Sequence, residues 1–170
     1  MPAGLTLNTS TGVINGTPTA SGVSHFEIKA TDSLHMPASV AFALTIDHAL
    51  VISTTSPLPA GAVASNYSQA LTATGGIGTY TWAMVAGTLP GGLTLNSATG
   101  VISGQPTGTG TSQFEVKVTD GNQDTAAKVL SLTINPAIVI TTSSPLPTGT
   151  VGVNYSQALA ATGGSGTRCV

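Results

Sequence analysis

The sequence is poor in charge, in aromatic residues and in cysteine. Four Lys/Arg and six Asp/Glu among 170 residues give a net charge of −2. A surface with so few cations has little to neutralise a phosphate backbone, so we expect no nucleic-acid partner. The single cysteine, Cys169, has no partner for an intrachain disulfide. We interpret it as an incidental free thiol.

Long apolar runs and leader features are also missing. No stretch approaches the ~20 apolar residues of a membrane span. Residues 1–6, MPAGLT, have neither a basic segment nor an apolar one, and so predict no signal peptide in this chain. These absences leave a polar character that comes mainly from 28 threonines and 17 serines. Threonine favours strands, and the 21 glycines and 10 prolines favour turns, so the composition predicts an all-β protein.

What the sequence does contain is an internal repeat at an offset of 88 residues. Residues 4–19, GLTLNTSTGVINGTPT, return at 92–107 as GLTLNSATGVISGQPT. When residues 1–82 are laid over 89–170 without a gap, 46 of the 82 pairs are identical. Such self-similarity is typical of tandem modular arrays. We therefore expect the chain to be a piece of a longer array.

The repeat also suggests domain boundaries. We predict the C-terminal part of an incomplete repeat at 1–48, a complete repeat at 49–136, and the N-terminal part of a further incomplete repeat at 137–170. In the complete repeat, apolar alternation and turn residues predict seven short strands, including 67–73, 79–85 and 114–120. This pattern favours an antiparallel β-sandwich of immunoglobulin-like type. The predicted core consists of Ile52, Leu71, Trp82, Leu95, Ile102, Phe114, Val116, Leu130, Leu132 and Ile134.

The incomplete repeats carry only parts of this pattern. Residues 1–48 hold the last four strands of a repeat, and residues 138–170 hold the first two. Each would leave an open sheet edge and half a core. We expect the isolated chain to be partly disordered or to self-associate through these terminal parts.

Several motifs together resemble a known family. LPGGLTL (89–95), TGVISGQP (99–106) and FEVKVTD (114–120), with YSQ (67–69) and YTW (80–82) upstream, are similar to the immunoglobulin-like repeat (He_PIG type) of bacterial haemagglutinins and other cell-surface proteins. The resemblance implies tandem sandwiches on extracellular or surface-anchored proteins. Such modules are spacers, adhesion units or accessory domains beside enzymes. The family brings no catalytic residues to this sequence.

A weaker similarity reaches toward cadherin-like repeats and implies a calcium site. The segment VTDG (118–121) resembles the cadherin segment whose aspartate binds calcium between repeats. The resulting calcium candidates are Asp32, Asp120 and Asp124, with Asp47 near the first junction. Calcium requires six to eight oxygen ligands, more than these residues supply at either junction. The alternative is that Asp120 caps the turn after its strand through an Asx-type hydrogen bond.

Other residues with reactive or binding chemistry have simpler interpretations. His25, His35 and His48 correspond to Gln113, Gln123 and Pro136 of the complete repeat, so a shared active or zinc site cannot depend on them. The GGIG run at 75–78 precedes a predicted strand and lacks a P-loop lysine, which favours a turn. Tyr80 and Trp82 could stack on a sugar, but their alternation places them in the core.

These observations predict a non-enzymatic extracellular repeat that acts as a spacer or a weak multivalent binder. Neighbouring repeats of the same array are the expected partners, with a glycan or a surface protein as a further possibility. No cofactor is expected apart from the calcium candidate. Two alternatives stay open at this point: a calcium-dependent adhesion module of cadherin type, and a carbohydrate-binding accessory module of a larger secreted hydrolase.

Overall fold

A computed structural model describes residues 1–164, so Cys169 lies outside the described residues. Fifteen strands and no helix are found within this range, and none of it could therefore cross a membrane as a helix. Below, the first copy denotes residues 1–48, the central copy 49–136 and the third copy 137–170. The first copy contains β1 (Leu5–Leu7), β2 (Ile14–Gly16), β3 (Gly22–Thr31) and β4 (Pro37–Ile46). The third copy contains β14 (Val139–Ile140) and β15 (Ala161–Thr162).

The central copy forms a sandwich of two sheets. Its strands are β5 (Val51–Ile52), β6 (Gly61–Ala62), β7 (Tyr67–Ala70), β8 (Ala73–Thr74), β9 (Thr81–Gly87), β10 (Leu93–Leu95), β11 (Val101–Gly104), β12 (Gly110–Thr119) and β13 (Thr125–Asn135). One sheet has the order β6-β13-β12-β9, and the other has the order β10-β11-β7. Strands β5 and β8 pair with each other. The all-β sandwich expected from the sequence is confirmed.

The core lies between these sheets because each long strand alternates apolar and polar residues. In β12, Phe114, Val116 and Val118 are buried, while Glu115 and Lys117 face outward. Nine of the ten predicted core residues are buried, and the tenth, Leu95, is half-buried and packs against the others. The core also includes Val118, on the same face of β12, and three apolar residues that the prediction omitted: Leu58, Tyr67 and Leu93.

The strand prediction was wrong in three details. The central copy has nine strands where seven were expected. The predicted strand at 67–73 divides into β7, which pairs with β11, and β8, which pairs with β5. The short strand β6 was not predicted, and its pairing with β13 is parallel, so the sandwich is not wholly antiparallel.

The predicted turn at 75–78 is present, with positive φ at Gly75, Gly76 and Gly78.

The chain enters and leaves the central copy at opposite ends of β13. Near the entry, the Lys128 ammonium donates a hydrogen bond to the Ile52 carbonyl at 3.3 Å. Near the exit, Asn135 pairs with Ala62. The eight residue steps from 128 to 136 span roughly 26 Å at ~3.3 Å per strand residue. The entry and the exit of the central copy therefore lie at opposite ends of the sandwich.

Candidate functional site

Asp120 lies directly after β12 and joins two turns. One of its carboxylate oxygens accepts hydrogen bonds from the backbone N–H groups of Asn122 and Asp124, both at 2.9 Å. The other oxygen accepts from the Ile77 N–H at 2.8 Å, across 43 residues of sequence. The side chain is 3 % exposed. Asp120 thus forms the expected Asx-type cap and also holds the 75–78 turn against the β12–β13 turn.

The three backbone donors favour the ionised carboxylate. The Ile77 N–H is the largest cause that lowers the pKa of Asp120 below its ordinary value of 3.8; burial opposes it, and the Asp124 and Asn122 N–H groups add to the lowering. Hydrogen bonds to a carboxylate stabilise its charged form. The Asp120 carboxylate satisfies three backbone N–H groups, which would lose this acceptor if the side chain were removed.

The lowered pKa makes the stability of the central copy depend on pH. A carboxyl with a depressed folded-state pKa contributes stability that is present above the unfolded pKa and is lost as pH falls through the folded value. We expect the melting temperature to fall as pH drops from about 5 to about 2. Asp120→Asn should flatten this dependence, while the exposed control Asp124→Asn should keep the wild-type slope. Thermal melts followed by the fluorescence of Trp82, the single tryptophan, give the melting temperature of each variant at each pH. Equal pH slopes for the two variants would contradict the role of Asp120.

The other calcium candidates are not gathered around Asp120. Asp124 is exposed on the same turn and presents its backbone N–H to Asp120. Asp32 is exposed in the first copy, where its carboxylate accepts from the N–H groups of Leu34 at 2.9 Å and Met36 at 2.8 Å. Asp47 is likewise exposed. Within residues 1–164, no three His, Cys, Asp or Glu side chains are close enough to hold a metal ion.

The three histidines lie on the surface, whereas Trp82 and Tyr80 pack inward. His25, His35 and His48 are all exposed. Trp82 is 4 % exposed and belongs to the core, which confirms the core interpretation over a stacking platform. The Tyr80 hydroxyl donates to the Gly75 carbonyl at 2.6 Å, so Tyr80 supports the same turn as Asp120.

The first copy exposes the apolar face that is buried in the central copy. Phe26 is half-buried and Phe42 is exposed, and their rings stack with centroids 6.1 Å apart. Ile14 is 39 % exposed, whereas its counterpart Ile102 is 0 % exposed. These residues line a groove of about 620 Å³, to which Leu7, Ile28 and Leu44 also contribute. We call this groove the open face.

The third copy exposes the complementary set of apolar residues. Tyr155 is 51 % exposed, against 8 % for its counterpart Tyr67, whose burial raises the pKa of the phenol above 10.0. Leu159 is 47 % exposed, against 5 % for Leu71. Sequence reasoning anticipated both half-cores from the 88-residue offset.

The fold places the chain among immunoglobulin-like sandwich modules. The chain belongs to the family described as "Putative Ig domain", which matches residues 1–47 and 49–135. It is also 33% identical over 144 residues to the "Serine-rich adhesin for platelets" of Staphylococcus aureus (strain USA300), a match that covers 79% of this chain and 6% of the adhesin. The chain therefore spans a small part of that relative's length.

Solved structures with a similar fold come from proteins of different kinds. The C-terminal fragment of intimin, in complex with the intimin-binding domain of its receptor Tir, gives a TM-score of 0.48 at 20% identity and covers 75% of this chain and 45% of that one. The extracellular domain of protocadherin GammaB4 gives a TM-score of 0.45 at 20% identity, with coverages of 85% and 29%. The endo-fucoidan hydrolase MfFcnA4 gives 0.44 at 22% identity, with coverages of 85% and 24%.

Proposed function

We propose that this chain is part of a non-enzymatic array of immunoglobulin-like repeats, located at the cell surface or outside the cell. Its role is that of a spacer or a weak multivalent adhesion unit. Membership of the immunoglobulin-like family and similarity to a surface adhesin support this role. Copies bounded at 1–48, 49–136 and 137–170 are the units of the proposed array.

The observation that carries the proposal is the position of the chain ends in the central copy. Because the chain enters and leaves at opposite ends of β13, each added copy lengthens the array. Pro136 restricts the backbone between copies, since its ring fixes φ. A semi-rigid row of sandwiches can hold a distal domain away from a surface, and it can repeat one weak contact many times with an effective concentration set by the spacing.

Pulling the full chain from its two ends tests the proposed unit. Residues 49 to 136 comprise 87 steps, which extend to roughly 310 Å at ~3.6 Å each. In the folded copy the chain enters beside Lys128, so we take the span of roughly 26 Å between positions 128 and 136 as the folded end-to-end distance. Subtracting it predicts that unfolding of the central copy releases about 285 Å of chain. Single-molecule force spectroscopy should show one such step per molecule. A smooth extension without a step, or a main step of a different length, would contradict the proposed unit.

Calcium dependence is an alternative with less support, because both carboxylate oxygens of Asp120 already accept backbone N–H groups. We expect about 1 mM calcium to leave the Trp82 melting temperature unchanged relative to a chelator. A site filled at 100 times its Kd would add ~2.7 kcal/mol of stability. In a domain of this size, that corresponds to a rise of about 10 °C or more. Such a rise would favour the calcium-dependent adhesion module.

The carbohydrate-binding alternative also has less support, because Trp82 is packed in the core. A glycan array probed with the labelled full chain tests it directly. Binding to a defined glycan, competed by that free glycan, would favour an accessory module. Density-dependent retention of chain-coated beads on platelets, with weak retention of the soluble chain, would instead favour multivalent adhesion.

A further inference from the structure

The first and third copies each retain part of the central copy's pairing. In the first copy, the register of β1 with β2 is that of β10 with β11, and the register of β3 with β4 is that of β12 with β13, all at an offset of 88. Residues 1–48 are identical to 89–136 at 24 of 48 positions. The first copy is therefore preorganised as the C-terminal half of a sandwich.

The third copy is preorganised as the N-terminal half. Strands β14 and β15 pair in the register of β5 and β8. The Tyr155 hydroxyl donates to the Pro147 carbonyl at 2.9 Å, as Tyr67 donates to Pro59 at 3.0 Å. Residues 137–164 are identical to 49–76 at 20 of 28 positions.

The central copy shows how two such halves fit. Its N-terminal half places β7 against β11, with Ser68 opposite Ser103, and places β6 against the end of β13. The Leu58 N–H also donates to the Ser131 carbonyl at 2.8 Å, and the Leu71 N–H donates to the Gly100 carbonyl at 2.9 Å. The interface between the two halves therefore consists of the β7–β11 and β6–β13 pairings together with the core packed between the sheets.

Gly61 lies where the two halves of the central copy approach each other closely. A Cβ on Gly61 would lie 2.9 Å from the Ile134 side chain and 3.0 Å from the Tyr67 ring, so Gly61 sits between them. At Gly149, its counterpart, the nearest neighbours are all atoms of the Tyr155 ring. Ile46 of the first copy is the counterpart of Ile134. No atom of Ile46 is among the nearest neighbours of Gly149.

We propose that residues 137–164 of one chain cover the open face of a second copy of this chain. Tyr155–Ala158 would pair with Val13–Gly16 in the register of the central copy, which places Ser156 opposite Asn15. A second chain is the occupant because the central copy separates the two halves of one chain and holds them at its opposite ends. The contact is heterologous, so it joins chains head to tail into open rows or closed rings.

Residues 137–164 contribute no counterpart of β9 to the composite sandwich, which limits its stability. Positions 80–82 of the central copy, YTW, correspond to 168–170, RCV, so Trp82 has no aromatic counterpart there. In the central copy, β9 pairs with β12 along six residue pairs. Residues 137–164 contribute no strand to the matching edge of β3. We therefore expect reversible, concentration-dependent association.

Sedimentation velocity across about 1–200 µM tests the proposal with three matched variants. Each adds one negative charge at an exposed apolar position: Ile14→Asp in the open face, Tyr155→Asp in the third copy, and Val129→Asp on the outside of the central copy as the control. The wild type and Val129→Asp should exceed 16.7 kDa as concentration rises. Ile14→Asp and Tyr155→Asp should each stay monomeric, with native Trp82 fluorescence confirming a folded central copy.

Mixing the two monomeric variants gives the sharper test. Tyr155→Asp keeps an intact open face and Ile14→Asp keeps an intact third copy, so the mixture should form one dimer of 2 × 16.7 = 33.4 kDa and nothing larger. No dimer in the mixture would overturn the proposal. Association of every variant alone would show non-specific contact and would also overturn it. A wild type that remains monomeric throughout would likewise overturn it.

Cross-linking tests the register. In a Cys169→Ser background, Asn15→Cys with Ser156→Cys places two cysteines opposite each other between chains, within reach of a disulfide. Asn15→Cys with Gln157→Cys is the control, since adjacent strand residues point to opposite faces. We expect interchain cross-links for the first pair only. Equal cross-linking of both pairs would overturn the proposed register.

Discussion

Phe114→Ala should destabilise the central copy far more than Phe26→Ala destabilises the first, although both remove the same side chain at equivalent positions. Phe114 is 2 % exposed between the two sheets. Truncation of a buried phenylalanine costs about 3–5 kcal/mol, because burial is lost and a cavity remains. Domains of this size are stable by about 5–15 kcal/mol. The central copy of Phe114→Ala should therefore lose a large share of its stability.

Phe26 provides the matched control because it is half-buried on the open face. Its side chain is not enclosed by a second sheet, so Phe26→Ala leaves no closed cavity. Denaturant titration followed by Trp82 fluorescence reports the central copy alone, since Trp82 is the single tryptophan. Phe114→Ala should shift this transition strongly, and Phe26→Ala should leave it in place. Similar shifts for both variants would mean that the copies unfold as one unit.

The contrast between the two phenylalanines shows what local sequence could predict. The alternation around Phe114 predicted its burial correctly, because a strand in a two-layer sandwich has one apolar face. The same alternation occurs around Phe26, yet Phe26 stays half-buried. Burial depends on whether a second sheet covers the face. Here the 88-residue offset supplied that information, because it showed which strands each copy contains.

Long-range contacts were beyond what the sequence could predict. The Asx-type cap at Asp120 was anticipated, because it joins neighbours in sequence. The bond from Ile77 to Asp120 joins residues 43 positions apart and depends on how the two turns pack. Strand β6 was missed since Gly61 and Ala62 carry no apolar pattern. Gly61 is required there by the close approach of Tyr67 and Ile134.

Gly100→Ala should give the second large effect, because two costs coincide at this hairpin. Gly100 has φ of +68°, a conformation in which an L residue is strained by about 1–2 kcal/mol. A Cβ there would also lie 2.6–3.0 Å from three atoms of the Trp82 indole. Overpacking of this kind costs roughly 1–3 kcal/mol. We expect a total loss of about 2–5 kcal/mol.

Gly12→Ala separates the two costs. Gly12 has φ of +74° in the equivalent hairpin, and a Cβ there would meet nothing within 4 Å. Its N–H donates to Asn8 at 2.8 Å, as that of Gly100 donates to Asn96 at 2.9 Å, so the backbone cost is matched. Gly12→Ala should lower stability by the backbone cost alone, and only in the first copy. Gly100→Ala should shift both the Trp82 unfolding midpoint and its emission, because the indole must move. An unchanged emission spectrum would contradict the contact between Gly100 and Trp82 on which the larger effect depends.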